Sequence, residues 1–188
     1  PGYGFLSENA AFAKLVEQNK ITFIGPTPEA IEIMGSKLAA KETVKKFNIP
    51  MVPGSEGAIS DMKEATQLAE KIGYPVLIKA SAGGGGKGMR VVNSTDELEE
   101  QMQRAQSEAL SAFGDGSVFI EKYVDDPKHI EVQILGDNSG NIVHLYERDC
   151  SVQRRFQKVI EVAPSILPEE TRQKLFGYAL AIAKHVNY

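Results

Sequence analysis

From Lys79 to Arg90 the chain reads Lys-Ala-Ser-Ala-Gly-Gly-Gly-Gly-Lys-Gly-Met-Arg. Consecutive glycines remove every Cβ from one stretch of backbone, so its N–H groups can close on an anion. Lys79 before the run and Lys87 within it add positive charge. The chemistry this suits is the holding of phosphate oxygens, those of a nucleotide such as ATP. The run lacks the Gly-Lys-Ser/Thr ending of a Walker A loop. It also sits between two strand patterns, 76–79 and 89–92, whereas a dinucleotide fingerprint opens a helix. A glycine flap between strands covers phosphates from above and can open and close. The alternative is a flexible hairpin connection.

Three further sets carry polar groups in suggestive places. Phe119-Ile120-Glu121-Lys122-Tyr123-Val124 puts a carboxylate and an ammonium at the end of a buried-looking strand, where they and the flanking backbone could read an adenine edge; an edge-strand ion pair is the plainer reading. In His129-Ile130-Glu131-Val132-Gln133-Ile134 polar and apolar residues alternate, so the polar ones share a face. That face reads as solvated at Glu131, while His129 could contact a ribose or phosphate, and nothing in the spacing marks a metal site. Glu147-Arg148-Asp149-Cys150-Ser151-Val152-Gln153-Arg154-Arg155-Phe156-Gln157-Lys158 mixes both charges with cations in excess. It reads either as a salt-bridged loop or as a ring of donors around anions, with Lys158 offering a point charge to a small oxyanion. Cys150, with no base near it in sequence, reads as a small buried residue.

The elements that must position these groups follow from pattern and punctuation. A loop leads to a helix at 9–19 and a short strand at 21–24. Thr27-Pro28-Glu29 starts a helix with proline at its first position. A second helix spans 36–47 and ends before Pro50, because the residue preceding proline avoids the helical region. Residues 51–124 read as a compact α/β unit: a helix capped by Ser60-Asp61 and running to Ile72, strand 76–79, the glycine loop, strand 89–92, a helix from Ser94 to Phe113, and strand 118–123. A hairpin at 128–148 turns through Gly136-Asp137-Asn138-Ser139-Gly140-Asn141, and a closing helix runs from Pro168 to Val186.

Composition narrows the function. The 188 residues are 42% hydrophobic with a net charge of −4, which argues against a general nucleic-acid binder. One cysteine forbids an internal disulfide framework and suits a reducing compartment. No apolar run reaches the roughly 18 residues of a membrane span. The chain opens Pro1-Gly2-Tyr3-Gly4 inside what reads as a loop and stops just after a helix, so it reads as a piece of something longer.

Taken in order, these motifs resemble the biotin carboxylase component of biotin-dependent carboxylases, within the ATP-grasp superfamily. The resemblance rests on Gly2-Tyr3-Gly4-Phe5-Leu6-Ser7-Glu8-Asn9, Phe23-Ile24-Gly25-Pro26, Met34-Gly35-Ser36-Lys37, Val52-Pro53-Gly54, Tyr74-Pro75-Val76-Leu77-Ile78-Lys79-Ala80, the glycine loop, and Glu147 to Arg155. It covers essentially the whole chain. Stretches 129–136 and 142–150 look most like pyruvate carboxylases, and 81–90 also suits acetyl- and propionyl-CoA carboxylases. The resemblance implies an α/β fold: the end of a Rossmann-like N-terminal domain at 1–50, an ATP-grasp lid at 51–124, and the start of the ATP-grasp catalytic domain at 125–188. It implies ATP phosphorylation of bicarbonate to carboxyphosphate, then carboxylation of biotin on a carrier domain that serves a separate carboxyltransferase. It assigns Lys37 and Lys79 to the ATP phosphates, Gly85 and Gly86 to the loop over the nucleotide, and Glu121, Lys122, Tyr123 and Val124 to adenine. His129 and Gln153 fall near the ribose, and Lys158 near bicarbonate. Magnesium ligands, and a catalytic arginine and glutamate, are expected on strands beyond Tyr188. A cytoplasmic or mitochondrial-matrix homo-oligomer is expected, with no nucleic-acid or membrane partner. Phe156 departs from the family's usual histidine or asparagine, so a polar ribose contact there is lost. Another ATP-grasp ligase, such as a carbamoyl-phosphate synthetase, or an ATP-binding module without chemistry, is the alternative. Because that catalytic machinery is expected beyond Tyr188, the 188-residue chain should not carboxylate biotin, as an assay with ATP, bicarbonate and free biotin would check.

Overall fold

The computed structural model describes residues 4, 6–35, 37–81, 88–155 and 157–188, and the side chains of all of these but Lys37 and Leu38. Gly85, Gly86, Lys87 and Phe156 lie outside the described residues, as does the side chain of Lys37. Twelve elements follow in order: α1 (Ala10–Gln18), α2 (Pro28–Gly35), α3 (Lys37–Lys46), α4 (Met62–Ile72), β1 (Val76–Ala80), β2 (Arg90–Val92), α5 (Thr95–Phe113), β3 (Val118–Lys122), β4 (Ile130–Gly136), β5 (Ile142–Arg154), β6 (Gln157–Val162) and α6 (Glu169–His185). No described helix is long and apolar enough to cross a membrane.

The helix starts follow their capping residues. Asn9 accepts from Phe12 N at 2.8 Å, Thr27 Oγ1 from Ala30 N at 3.2 Å, and Asp61 from Lys63 N and Glu64 N. Helix α5 is capped differently: Ser94 makes no side-chain cap bond, and Glu97 instead reaches back to accept from Asn93 N at 3.0 Å. It ends at Gly114, whose φ of 73° is the left-handed turn that glycine adopts without strain.

Two compact units emerge. One comprises residues 51–129 and 150–161; the other comprises 1–50, 130–149 and 162–188. In the first, β1 is the centre of an antiparallel sheet of order β2-β1-β3. One face of this sheet is covered by α4 and α5. Ala65, Ala69, Val76, Ile78, Val92, Leu98, Met102, Ala105, Val118 and Ile120 form one contiguous core there. The small alanines of both helices let the helix axes approach the sheet, while Leu98 and Met102 fill the remaining space. The outer edge of β3 is not open. Gly54 bridges to Glu121 and Ile59 to Val118, so the segment after Pro53 runs along it.

In the second unit α1, α2 and α3 pack in succession, and α6 lies against β4. Its apolar core is smaller, with Ala13, Ala30, Phe176 and Ala183 buried. A polar cluster compensates. Glu147 on β5 is 1% exposed and accepts from Arg172 Nε at 2.7 Å and from Ser165 N and Oγ, both at 2.9 Å. Phe176 stacks on the His144 ring at 4.0 Å, and the Arg172 guanidinium lies over the rings of Tyr146 and Phe176. Thus β5 and α6 are joined by one buried ion pair inside an aromatic frame.

Three sequence expectations are corrected. Residues 21–24 form no strand: the chain turns at Lys20 with φ 58°, and Ile21 and Ile24 stay exposed, with no strand among the described residues to complete a ladder. The charged stretch expected to leave the hairpin as a loop is strand instead. β5 continues to Arg154, and β6 follows, in a sheet of order β4-β5-β6. Local charge obscured the signal, and hydrogen-bonded neighbours override it. The alternation at 129–134 does not give two clean faces either. The β4–β5 register shifts between Val132 and Ile134, opposite Tyr146 at φ 62°, so side chains on both faces are partly covered.

Two stability outcomes follow. Leu98→Ala, at a fully buried position, should cost about 3 kcal/mol in urea unfolding. Burial alone would push the Glu147 carboxyl up, but the bonds from Arg172 and Ser165 outweigh it and hold it at about 2, below its ordinary 4.5. A folded-state value below the unfolded one stabilises fully above pH 4.5 and is lost as pH falls towards 2. Glu147→Gln should therefore lower stability at pH 7 by about 3 kcal/mol and flatten its decline over that acid range, as urea midpoints at several pH values would read.

Candidate functional site

Alternation along β1 and β3 sorts the unit's side chains onto two faces. Val76, Ile78 and Ala80 are buried, and Val76 and Ile78 join Val118 and Ile120 in the helix-covered core. Leu77 and Lys79 therefore point to the other face, together with Phe119 and Glu121. The register pairs Lys79 with Phe119 and Leu77 with Glu121, which makes Lys79 and Glu121 diagonal neighbours. Their side chains meet: Lys79 Nζ lies 2.6 Å from Glu121 Oε2. The carboxylate is 11% exposed and the ammonium side chain 31%. The pair is thus half-desolvated, and the lysine retains an open side.

The pair sits at the root of the glycine run. Ala80 N donates to Gly88 O at 3.1 Å, and Ser81 N donates to Ser117 O at 2.8 Å. Gly88 has φ 69°, and a Cβ there would lie 2.9 Å from the Ala80 Cβ. The two ends of the run are therefore fixed to the sheet beside Lys79, and a strand follows it, not a helix.

Lys122, Tyr123 and Val124 extend β3 beyond the pair. Lys122 points to the helix side, where Nζ donates to Gly73 O at 2.9 Å and Tyr74 O at 3.0 Å. Its charge thereby caps the carbonyl end of α4. Tyr123 N donates to Pro75 O at 3.2 Å, and Val124 is half-exposed. The backbone there is held while its outward edge turns to solvent.

His129 and Gln153, 24 positions apart, are brought together: Gln153 Nε2 lies 2.8 Å from His129 Nδ1. An amide nitrogen only donates, so this contact is a hydrogen bond where Nδ1 is the unprotonated ring nitrogen. Gln153 Nε2 also bonds Cys150 O at 2.9 Å, Cys150 N donates to His129 O, and His129 N donates to Ser151 Oγ at 3.0 Å. The buried Cys150 is the packed pivot of this contact. Lys158 stands on β6, in a cleft of about 440 Å³ lined also by Arg154, Arg155, Gln157 and Val159. Among the described residues its charged lining is cationic, which suits an anion.

Several functional neighbours had no signal in the sequence. Arg148 holds Gln133 Oε1 and Glu131 Oε1, each at 3.0 Å, so Glu131 is a half-buried ion-pair partner and not a freely solvated side chain. Ser151, Arg154 and Arg155 were visible only as members of a charged run. Glu121 and Glu131 each hold a cation through one carboxylate oxygen.

Comparison with known proteins agrees with this arrangement. Residues 36–188 match the family model described as carbamoyl-phosphate synthase L chain, ATP binding domain, and residues 1–31 match the biotin carboxylase N-terminal domain. The chain is 53% identical over its full length to the pyruvate carboxylase of Aspergillus niger, of which it spans 16%. It is 56% identical, again over its full length, to the biotin carboxylase of Nostoc sp., of which it spans 42%. The biotin carboxylase domain dimer of Hydrogenobacter thermophilus 2-oxoglutarate carboxylase, solved with MgADP, ADP and bicarbonate, matches the whole chain with a TM-score of 0.90 and 51% identity; the chain covers 42% of it. The chain thus spans less than half the length of these relatives. With a strand–glycine-run–strand hairpin rooted beside Lys79, and with both domain models matched in order, the chain belongs to the biotin carboxylase family, its larger part being the ATP-grasp nucleotide-binding domain.

Proposed function

We propose that this chain is the nucleotide-holding part of a biotin carboxylase, and that the whole protein uses ATP and bicarbonate to carboxylate biotin through carboxyphosphate. The observation that carries the reading is the Lys79–Glu121 contact of 2.6 Å at the root of the glycine run. A lysine held by a carboxylate on one side and open on the other is pre-positioned for a phosphate oxygen, and phosphoryl transfer depends more on such positioning than on covalent chemistry.

In this reading residues 51–124 are the lid, 1–50 the end of the N-terminal domain and 125–188 the start of the catalytic domain. Lys79, Lys37, Gly85 and Gly86 hold the phosphates. Glu121, Lys122, Tyr123 and Val124 offer their strand end to adenine, with Tyr123 and Val124 exposing backbone that leads out of the sheet. His129, held against Gln153, faces the ribose. Lys158, in its cleft on β6, takes bicarbonate. Magnesium, when bound, would shield phosphate charge alongside the chain's own lysines. The Hydrogenobacter relative solved with ADP and bicarbonate supports the choice of ligands. A biotin carrier domain, a carboxyltransferase acting on pyruvate, acetyl-CoA or propionyl-CoA, a homo-oligomeric parent and a cytoplasmic or mitochondrial-matrix setting complete the proposal.

Calorimetric titration with ATP tests it. The chain should bind weakly, and Lys79→Ala should lower affinity roughly tenfold, the scale of one charge-assisted hydrogen bond. Equal affinity of the two proteins would remove Lys79 from the site.

A further inference from the structure

Val52-Pro53-Gly54 brings the chain to the outer edge of β3. Its glycine lies against β3 at the level of Glu121. A Cβ built on Gly54 would stand 2.6 Å from Ile120 O, 2.9 Å from Glu121 Cγ and 3.1 Å from Glu121 Cα. Two of these three neighbours are backbone of a strand that is paired to β1 on its other side, so they cannot step aside. The approach is fixed from both flanks. Lys122 N donates to Pro53 O at 2.7 Å, Ser55 N donates to Ile120 O at 2.8 Å, and Ser55 Oγ accepts from Ile120 N at 3.2 Å. Gly57, three positions on, has nothing within 4 Å of the corresponding point. The close approach therefore belongs to position 54 and not to the segment as a whole.

We propose that Gly54 is a positioning residue for the Lys79–Glu121 pair. Its bare backbone occupies the space beside Glu121 Cγ and leaves the carboxylate directed at Lys79 Nζ. A methyl group there would force Cγ to rotate and β3 to part from the segment after Pro53, and the 2.6 Å contact would be lost. The functional meaning rests on the reading of Lys79 as a phosphate lysine; the geometric claim does not.

Acetylation of Lys79 by a soluble acetylating reagent, followed by mass spectrometry on the folded chain, tests the claim with and without ATP. An ammonium clasped by a carboxylate is sheltered from such reagents. Gly54→Ala, folded by circular dichroism, should acetylate Lys79 roughly tenfold faster, the scale of one charge-assisted hydrogen bond, while Gly57→Ala should match the unaltered chain. In a Glu121→Gln background, Gly54→Ala should add little, because its effect passes through that carboxylate. An unchanged Lys79 rate in folded Gly54→Ala, or full additivity with Glu121→Gln, overturns the proposal. If Gly54→Ala does not fold, Ser55→Ala, which removes only the bond to Ile120 N, should shift the Lys79 rate in the same direction by less, and no shift overturns the proposal. ATP should slow Lys79 acetylation in the unaltered chain and need a roughly tenfold higher concentration in Gly54→Ala. Failure of ATP to protect the unaltered chain would sink the nucleotide reading alone, since the nucleotide-free rates judge Gly54 by themselves.

Discussion

A carboxylate packed on the face of a sheet must find a cation or be neutralised, and Glu121 finds Lys79. Much of the geometry of the β2-β1-β3 sheet is organised around that demand. The β1–β3 register makes the two residues diagonal neighbours on one face. The opposite face is apolar up to Lys122, whose ammonium the carbonyls of Gly73 and Tyr74 take, and α4 and α5 close over it. Ala80 and Ser81, which lead from β1 towards the glycine run, follow Lys79 directly. A shift of one residue in register would send Lys79 into the core and an apolar side chain to the ligand face.

The other unit solves a similar problem by deeper burial. Glu147 sits beside the start of the long charged run, is 1% exposed, and satisfies Arg172 on α6 together with both hydrogen-bond donors of Ser165. Where the Lys79–Glu121 pair keeps one side open, the Arg172 guanidinium of this one lies over the rings of Tyr146 and Phe176. The contrast separates a pair suited to exchanging partners with a ligand from one that ties a strand to a helix.

The elements from Asp61 to Lys122 were legible in the sequence because their signals are local. Asp61 as a cap, the alternation through Ile78 and Lys79, and the glycine run each depend on residues within one turn or one strand. The continuation of β5 to Arg154 and the start of β6 were not legible. Their charges are those of a loop, and only neighbouring strands make them strands. The failed strand at 21–24 shows the reverse: apolar residues without a partner ladder remain irregular. Among site residues, Lys79 and Glu121 were named one at a time, but their contact depends on a register that pairing alone sets. The support from Gly54 was hidden altogether, since a glycine's lack of a side chain matters only when one knows what lies beside it.

The two sheets differ in how they end. In the β2-β1-β3 sheet the outer edge of β3 is covered by the segment from Gly54 to Ile59, and β2 is three residues long with a charged Arg90 at its head. Neither edge offers a long template for a foreign strand. At the far edge of the other sheet, β6 is six residues long, and Val159, Ile160 and Val162 are each more than half exposed. Lys158 and Glu161 interrupt that apolar run, so a foreign strand adding at β6 would have to take in a charge of each sign, and replacing either with an apolar residue would turn this edge into an adhesive one.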